Sequence, residues 1–444
     1  MTEPVPVQLR ELLRLSAPVI VARSGIIAMG VVDIAFLGRA GPEQVAYMTI
    51  AGMFIGTVIV GSIGLMVGTM VEAAHAFGAG DEREAGRVWR RSVPYALAVG
   101  AVGALLCLLG EPFYRLTGQD PEIARGGARV LLIFGLCMPG TTLFVTTTFF
   151  LEAIKRPVPG MIAILLANGL NALLNWVFVF GHWGAPALGA EGSAIATAAT
   201  RTAMALGLIG YALLMPGHGR FAVRERPAHP WRDGRRARHM GYASGASYGF
   251  EAAAFGSMSL FAGWLGPLQL AGWGIAINAM SLVFMTAVGL GVGTAVRVGH
   301  ARGSGDRRAM ETAGWLGLAV NSVAMGMACL GFWLLPETLA AIFTDDPALL
   351  AVGAAMLAMA AWVMVVDGGQ GVMLSAVRGA GDAWVPTALH FAAYFGVMIP
   401  GAWLMAFPLG LGATGLFLAI LFASIVAVCL LSWRFRRVCR IAAP

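Results

Sequence analysis

The sequence predicts an all-α polytopic membrane protein: twelve transmembrane helices in two pseudo-symmetric six-helix bundles, with both termini on the cytoplasmic side. Three observations carry this expectation. The first is solvent. Of the 444 residues, 58% are hydrophobic and only 12% charged, about half the charge density of an average soluble domain. Hydrocarbon must then solvate most of the surface. The second is a duplication. VGTMVEAAHAFGAGD at 67–81 returns as VGTAVRVGHARGSGD at 292–306, with Gly68, Thr69, Val71, His75, Ala76, Gly78, Gly80 and Asp81 each recurring 225 positions later. Pro42, Gln44 and Ala46 recur as Pro267, Gln269 and Ala271 at the same offset, so the repeat spans half the chain. The third is charge placement. With cytoplasmic termini, the 30 Lys and Arg, less four outside (Arg39, Arg115, Arg125, Arg129) and two within spans (Arg23, Arg201), leave 24 inside. That asymmetry fits the rule that cytoplasmic loops are positive.

Taken in order, the apolar runs lie near 12–38, 46–75, 93–110, 127–151, 158–180 and 190–215, then 240–264, 270–297, 312–335, 349–376, 384–407 and 411–433. Each is about 20 residues or longer, enough to cross a bilayer as helix. The N-terminal run is too long for a signal-peptide core and no cleavage pattern closes it, so it is read as the retained first span. The only long polar connection holds Pro227, Pro230 and seven arginines. It divides the chain into an N-terminal bundle (1–216), a cytoplasmic linker (217–239) and a C-terminal bundle (240–444). No loop is long enough for a soluble domain.

Composition also excludes functions. The net charge of +7 resides mainly in short loops, so it reports topology, and no nucleic-acid partner is expected. The five cysteines are odd in number, lie in or beside apolar runs and lack C-x-x-C spacing, so they read as small packing residues. The 60 glycines suit close helix packing. No H-E-x-x-H, Walker loop or G-x-S-x-G occurs, so neither an enzyme nor an ATP-driven pump is expected. The Gly-x-Gly before Asp81 and Asp306 sits at a helix C-terminus, where glycine caps. His75 and His300, each alone at such an end, read as helix-end polar groups.

Charges at membrane depth are expensive and point to function. Asp33 lies in the first span, Glu251 in the seventh and Asp367 in the tenth. Ser244, Ser247 and Tyr248 precede Glu251 at i−7, i−4 and i−3, a polar stripe on one helical face; Gln370 stands at i+3 from Asp367. Such carboxylates can take and release a proton, and several oxygens together can hold Na⁺. The alternative is a structural hydrogen bond between helices. Asn168, Asn171 and Asn175 share one face of span five and serve either packing or substrate contact. Glu72, Glu152 and Glu191 lie near helix ends where carboxylates reach water, although Thr148 and Thr141 share a face with Glu152. Arg23, about 15 Å along the same helix from Asp33, needs another acid or a water-filled cavity.

Six segments together resemble one known family: VVDIAFLGRAG (31–41), FGHWGAPALGAEGSAIATA (180–198), GASYGFEAAAF (245–255), LGPLQLAGWGIAIN (265–278), VGTAVRVGHARGSGD (292–306) and DGGQGVMLSAVRGAGD (367–382). They are similar to the multidrug and toxic compound extrusion (MATE) family in its NorM-like branch. The resemblance implies two six-helix bundles around a central cavity and export of mostly cationic, amphipathic compounds in exchange for Na⁺ or H⁺. It implies that Asp33 is the coupling acid of helix one and that Glu251 and Asp367 are the cation-binding acids of helices seven and ten, with Na⁺ a candidate ligand at the last two. Departures are Trp273-Gly274 where relatives carry a His-Gln pair, His75 in place of a Gln, and Arg23.

The expected activity is therefore secondary antiport by alternating access in a bacterial inner (plasma) membrane. Asp33, Glu251 and Asp367 couple the ion. Gln370, Tyr248, Ser247, Asn168, Asn171, Asn175, Asn278 and Met285 are candidates for lining the substrate cavity. No cofactor beyond the coupling ion is expected, and the partners are small cationic substrates and lipid, with the chain a monomer. Two rivals differ in their requirements. An exporter of lipid-linked or polysaccharide cargo needs several cations at depth, and a non-transporting scaffold gives no reason for three acids there.

Overall fold

The computed structural model describes residues 4–225 and 229–441, so Pro227 of the linker lies outside the described residues. Helices α1 (Val5–Ala40), α2 (Pro42–Gly78), α3 (Glu82–Cys107), α4 (Pro121–Ala153), α5 (Val158–Phe180) and α6 (Gly189–Leu214) make the first half. The second half is α7 (Arg235–Trp264), α8 (Pro267–Gly303), α9 (Arg307–Leu334), α10 (Pro347–Gly379), α11 (Trp384–Ala406) and α12 (Gly412–Ile441). A π-helical turn, Tyr394–Met398, interrupts α11. Among the described residues there is no strand, and ten helices are long and apolar enough to cross a membrane, or 11 when α3 and the bent helix Gly110–Leu116 count as one span. The remaining long helix, α7, falls short of that apolarity because of the Ser, Tyr and Glu stripe seen in the sequence.

Several helices run past the apolar limits. α3 begins at Glu82 where the apolar run begins near 93, because Asp81 accepts a hydrogen bond from the Glu84 amide at 2.8 Å and caps a charged first turn. Apolarity marks the part in hydrocarbon, while capping decides where the helix begins.

The duplicated motif is a pair of helix joints. At Asp81 and at Asp306 the backbone amide reaches back to the Ala76 and Ala301 carbonyls, each at 3.0 Å. Between them Gly80 and Gly305 take φ of 80° and 73°, which glycine adopts without steric cost. Asp306 then caps α9 through the Ala309 amide at 2.9 Å, as Asp81 caps α3.

Packing divides the chain into two compact units, Val21–Gly245 on the one hand, and the residues up to Ile20 together with Ala246–Pro444 on the other. Both boundaries fall inside continuous helices, α1 and α7, and are themselves 225 positions apart. The proline-rich linker is therefore a covalent division of the chain and not the place where packing divides. In the first unit the start of α7 lies so close to α2 that a Cβ on Gly64 would come 2.7 Å from the Gly245 Cα. In the second, the start of α1 packs on α8, and Arg297 pairs with Glu11 at 3.8 Å and donates to the Gln8 side-chain oxygen at 3.2 Å. Small residues are what permit such backbone approaches.

Candidate ion-coupling sites

Each unit holds one buried carboxylate in a cluster of polar donors. In Val21–Gly245 it is Asp33, 6% exposed. Its two oxygens are used separately: Oδ1 accepts from the Asn175 amide and Oδ2 from the Thr197 hydroxyl, both at 2.8 Å. Asn171 donates to the Thr197 oxygen at 3.0 Å. Asn171 and Asn175 share a face of α5 and Thr197 comes from α6, so two helices converge on α1. The amide oxygens of Asn171 and Asn175 are buried without hydrogen-bond partners. Together with the carboxylate they form an oxygen set of the kind that holds a hard cation, and Asp33 alone can carry a proton.

In the other unit the acid is Asp367, 4% exposed. Here one oxygen takes both donors: Oδ1 accepts from the Tyr394 hydroxyl at 3.1 Å and the Ser424 hydroxyl at 3.0 Å. Gln370 donates to the Tyr394 oxygen at 3.2 Å, and its own Oε1 is buried without a partner. Tyr394 opens the π turn of α11, an irregularity that recurs at functional sites and here turns the phenol toward α10. Glu251 on α7 is half-buried and faces two charges, those of Asp367 and Arg378.

The remaining sequence candidates divide. Ser247 is buried and pairs with His390 Nδ1 at 2.7 Å; Tyr248 is half-buried beneath the Arg378 guanidinium, 5.4 Å from ring centroid to Cζ. Met285 is half-buried. Asn168 donates to the Gly25 and Ile164 carbonyls at 3.0 and 2.9 Å, a helix-packing role. Asn278 bonds back to the Gly274 carbonyl at 2.8 Å, the local bond open to any helical Asn. Glu191 stays at the surface with Arg129 at 3.3 Å. Glu152 departs from expectation: it is 3% exposed and pairs with Arg23 at 3.5 Å. Arg23 also sits 5.4 Å from the Phe149 ring, so its partner at depth is an acid of α4.

Five residues of these clusters escape the sequence reading. Thr197, Tyr394 and Ser424 are ordinary in membrane helices and carry no signal alone. His390, 1% exposed, stands at i−4 from Tyr394 with ring centroids 4.3 Å apart, and that spacing is the signal that was available. Arg378 counts among cytoplasmic loop charges in the sequence, yet it is 3% exposed, with Nε and one terminal nitrogen lacking a partner.

Each of the two repeated units of this helical membrane protein thus buries a carboxylate among polar side chains. The family model described as MatE matches residues 18–177 and 247–404. A probable multidrug resistance protein NorM of Caulobacter vibrioides is 37% identical over 435 residues, covering 98% of this chain and 92% of that protein. A protein of the same description from Rhizobium meliloti is 31% identical, covering 98% and 94%. Among solved structures, a eukaryotic MATE transporter superposes with a TM-score of 0.89 at 19% identity, covering 98% of both chains. The chain belongs to the MatE family of membrane transporters.

Proposed function

We propose that this protein exports cationic, amphipathic compounds across the bacterial inner membrane in exchange for Na⁺ or H⁺, by alternating access of its two pseudo-symmetric halves. The observation that carries this reading is the pair of buried acids, Asp33 held by an amide and a hydroxyl and Asp367 by two hydroxyls, all from neighbouring helices. A carboxylate at membrane depth is costly unless paired or neutralised, so each cluster favours a bound cation or proton. Asp33 with the Asn171 and Asn175 oxygens, and Asp367 with Glu251, are the sets that would hold Na⁺; protonation would neutralise the same carboxylates. A cationic substrate offers the same neutralisation, and that competition couples the two fluxes. The names of the relatives support a drug-like substrate class.

Export of lipid-linked or polysaccharide cargo is less well supported, because Arg23 is engaged by Glu152 and Arg378 faces Glu251. The test is efflux of a cationic dye from proteoliposomes under a Na⁺ gradient and, separately, a pH gradient. Wild-type protein drives efflux under one of them, which identifies the coupling ion. Asp33→Asn and Asp367→Asn each reduce efflux to the rate of empty liposomes; wild-type rates from both would overturn the mechanism.

A further inference from the structure

The coupling acids of the second unit carry an internal positive charge that the reading above leaves unused. Arg378 is the penultimate residue of α10, almost fully buried, and two of its guanidinium nitrogens have no hydrogen-bond partner. Its Cζ lies 5.4 Å from the Tyr248 ring centroid. Tyr248 is one turn before Glu251 on the same face of α7, and the Arg378 guanidinium over that ring lies within electrostatic reach of the Glu251 carboxylate. A fixed cation over an aromatic face is held without being neutralised; the charge remains available to the acid beside it.

Among the described residues, the groups within electrostatic reach of Glu251 include Asp367 and Arg378 from α10 and Tyr394 from α11, with Tyr248 one turn away on its own helix. His390 of α11 adjoins Arg378 and is bound to Ser247. With both acids ionised and Arg378 charged, this set carries one net negative charge, which one monovalent cation neutralises. The repeat gives a second line of support. Glu152 is likewise the penultimate residue of α4, 226 positions before Arg378, and Arg23 precedes Tyr248 by the 225 positions of the repeat. The station that holds an Arg23–Glu152 ion pair in one unit thus holds Tyr248 and Arg378 in the other, so each buries an arginine, against an acid in the first and over an aromatic ring in the second.

We infer that Arg378 is a positioning residue for coupling, a built-in counter-cation that competes with the transported ion at Glu251 and limits the Glu251–Asp367 set to one coupling cation per cycle. The inference rests on the reading of Asp367 and Glu251 as coupling acids. Removing the charge leaves two uncompensated carboxylates, which bind a cation more tightly and take a second one. At a few ångströms in a partly buried site, one fixed charge changes cation affinity by about tenfold or more.

The measurement is the concentration dependence of the driving cation, Na⁺ or H⁺, on dye efflux from proteoliposomes. Arg378→Gln lowers the half-saturating concentration about tenfold and raises the Hill slope, whereas Arg378→Lys, which keeps the charge, stays within about twofold of wild type. An unchanged half-saturation in R378Q beside an inactive Asp367→Asn overturns the role of Arg378 and leaves the acid mechanism standing. Wild-type exchange by D367N overturns the acid mechanism and this inference with it. Should R378Q fail to fold, the Glu251→Gln/Arg378→Gln double variant decides: recovery of folded yield above the single variant supports the pairing, and no recovery overturns it.

Discussion

The first unit joins α1 to α4 through Arg23 and Glu152 at 3.5 Å; the second joins α7 to α10 through Tyr248 and Arg378 at 5.4 Å. These are equivalent stations in the repeat, yet the charge on the α4/α10 side is inverted and an aromatic ring replaces the arginine of the α1 side. The acids diverge as well. Asp33 precedes Met258 by the repeat offset, while Glu251 and Asp367 have no acidic counterparts in the first half. Duplication thus preserved the backbone joints, where Gly80 and Gly305 share a conformation, and left the polar interior free to diverge. The frame repeats while the two buried acid clusters differ in charge balance: the first unit holds Asp33 and a separate Arg23–Glu152 ion pair, the second two acids and one arginine.

That contrast is broken most severely at Arg23. Its side chain is 10% exposed and that of Glu152 3%, so Arg23→Leu leaves a buried carboxylate without its counter-charge. Such a loss costs about 3–5 kcal/mol and is read as a fall in thermal unfolding midpoint of the purified protein. The double variant Arg23→Leu/Glu152→Leu recovers most of that loss, since an apolar pair of similar volume removes the desolvation cost along with the attraction. If the double is as unstable as the single, the pair is not what holds this station.

Much of this architecture was legible in one dimension. Hydropathy located twelve spans because each helix must present apolar residues to lipid, and the glycine-aspartate joints were visible because only certain residues make them. Asp33 and Asp367 were legible for the same reason, as charges where charge is costly. Arg378 was not. Counting arginines near helix ends treats each as reaching toward water, and cannot distinguish one folded back over Tyr248. Glu152 failed in the same way, since a carboxylate near a helix end reaches water unless a neighbour such as Arg23 draws it inward. The unit boundaries at Ile20 and Gly245 were invisible because α1 and α7 are continuous helices whose hydropathy does not change there; only packing divides them.

The two acids offer a second, smaller test. Asn175 supplies the donor on Asp33 Oδ1, whereas Ser424 shares Asp367 Oδ1 with Tyr394. A hydrogen bond to an ionised group contributes about 1.5–3 kcal/mol. Asn175→Ala should fall at the upper end, and Ser424→Ala at the lower end because the tyrosine donor remains. Cation dependence of efflux should follow the same order, with N175A displaced further than S424A. Equal effects would mean that the division of donors between oxygens does not distinguish the sites.

The finest comparison lies in the duplicated motif itself, at Gly68 and Gly293. Both are buried glycines of the same V-G-T triplet, yet they face different matter. A Cβ on Gly68 would overlap the Ala237 carbonyl in the first turns of α7, which is backbone and cannot rotate away. A Cβ on Gly293 would overlap only the Ser16 hydroxyl, with the next atom, Leu12 Cδ1, at 3.3 Å. Overpacking costs about 1–3 kcal/mol when the surroundings must shift. Gly68→Ala therefore falls toward the upper part of that range and Gly293→Ala below about 1 kcal/mol, because one side-chain rotation relieves it. Gly293→Ala/Ser16→Ala should then match wild type in thermal midpoint, while no single side-chain truncation rescues G68A. Rescue of G68A by truncating a side chain would show that backbone approach is not what fixes this glycine. The two copies of the motif would then differ in sequence context alone.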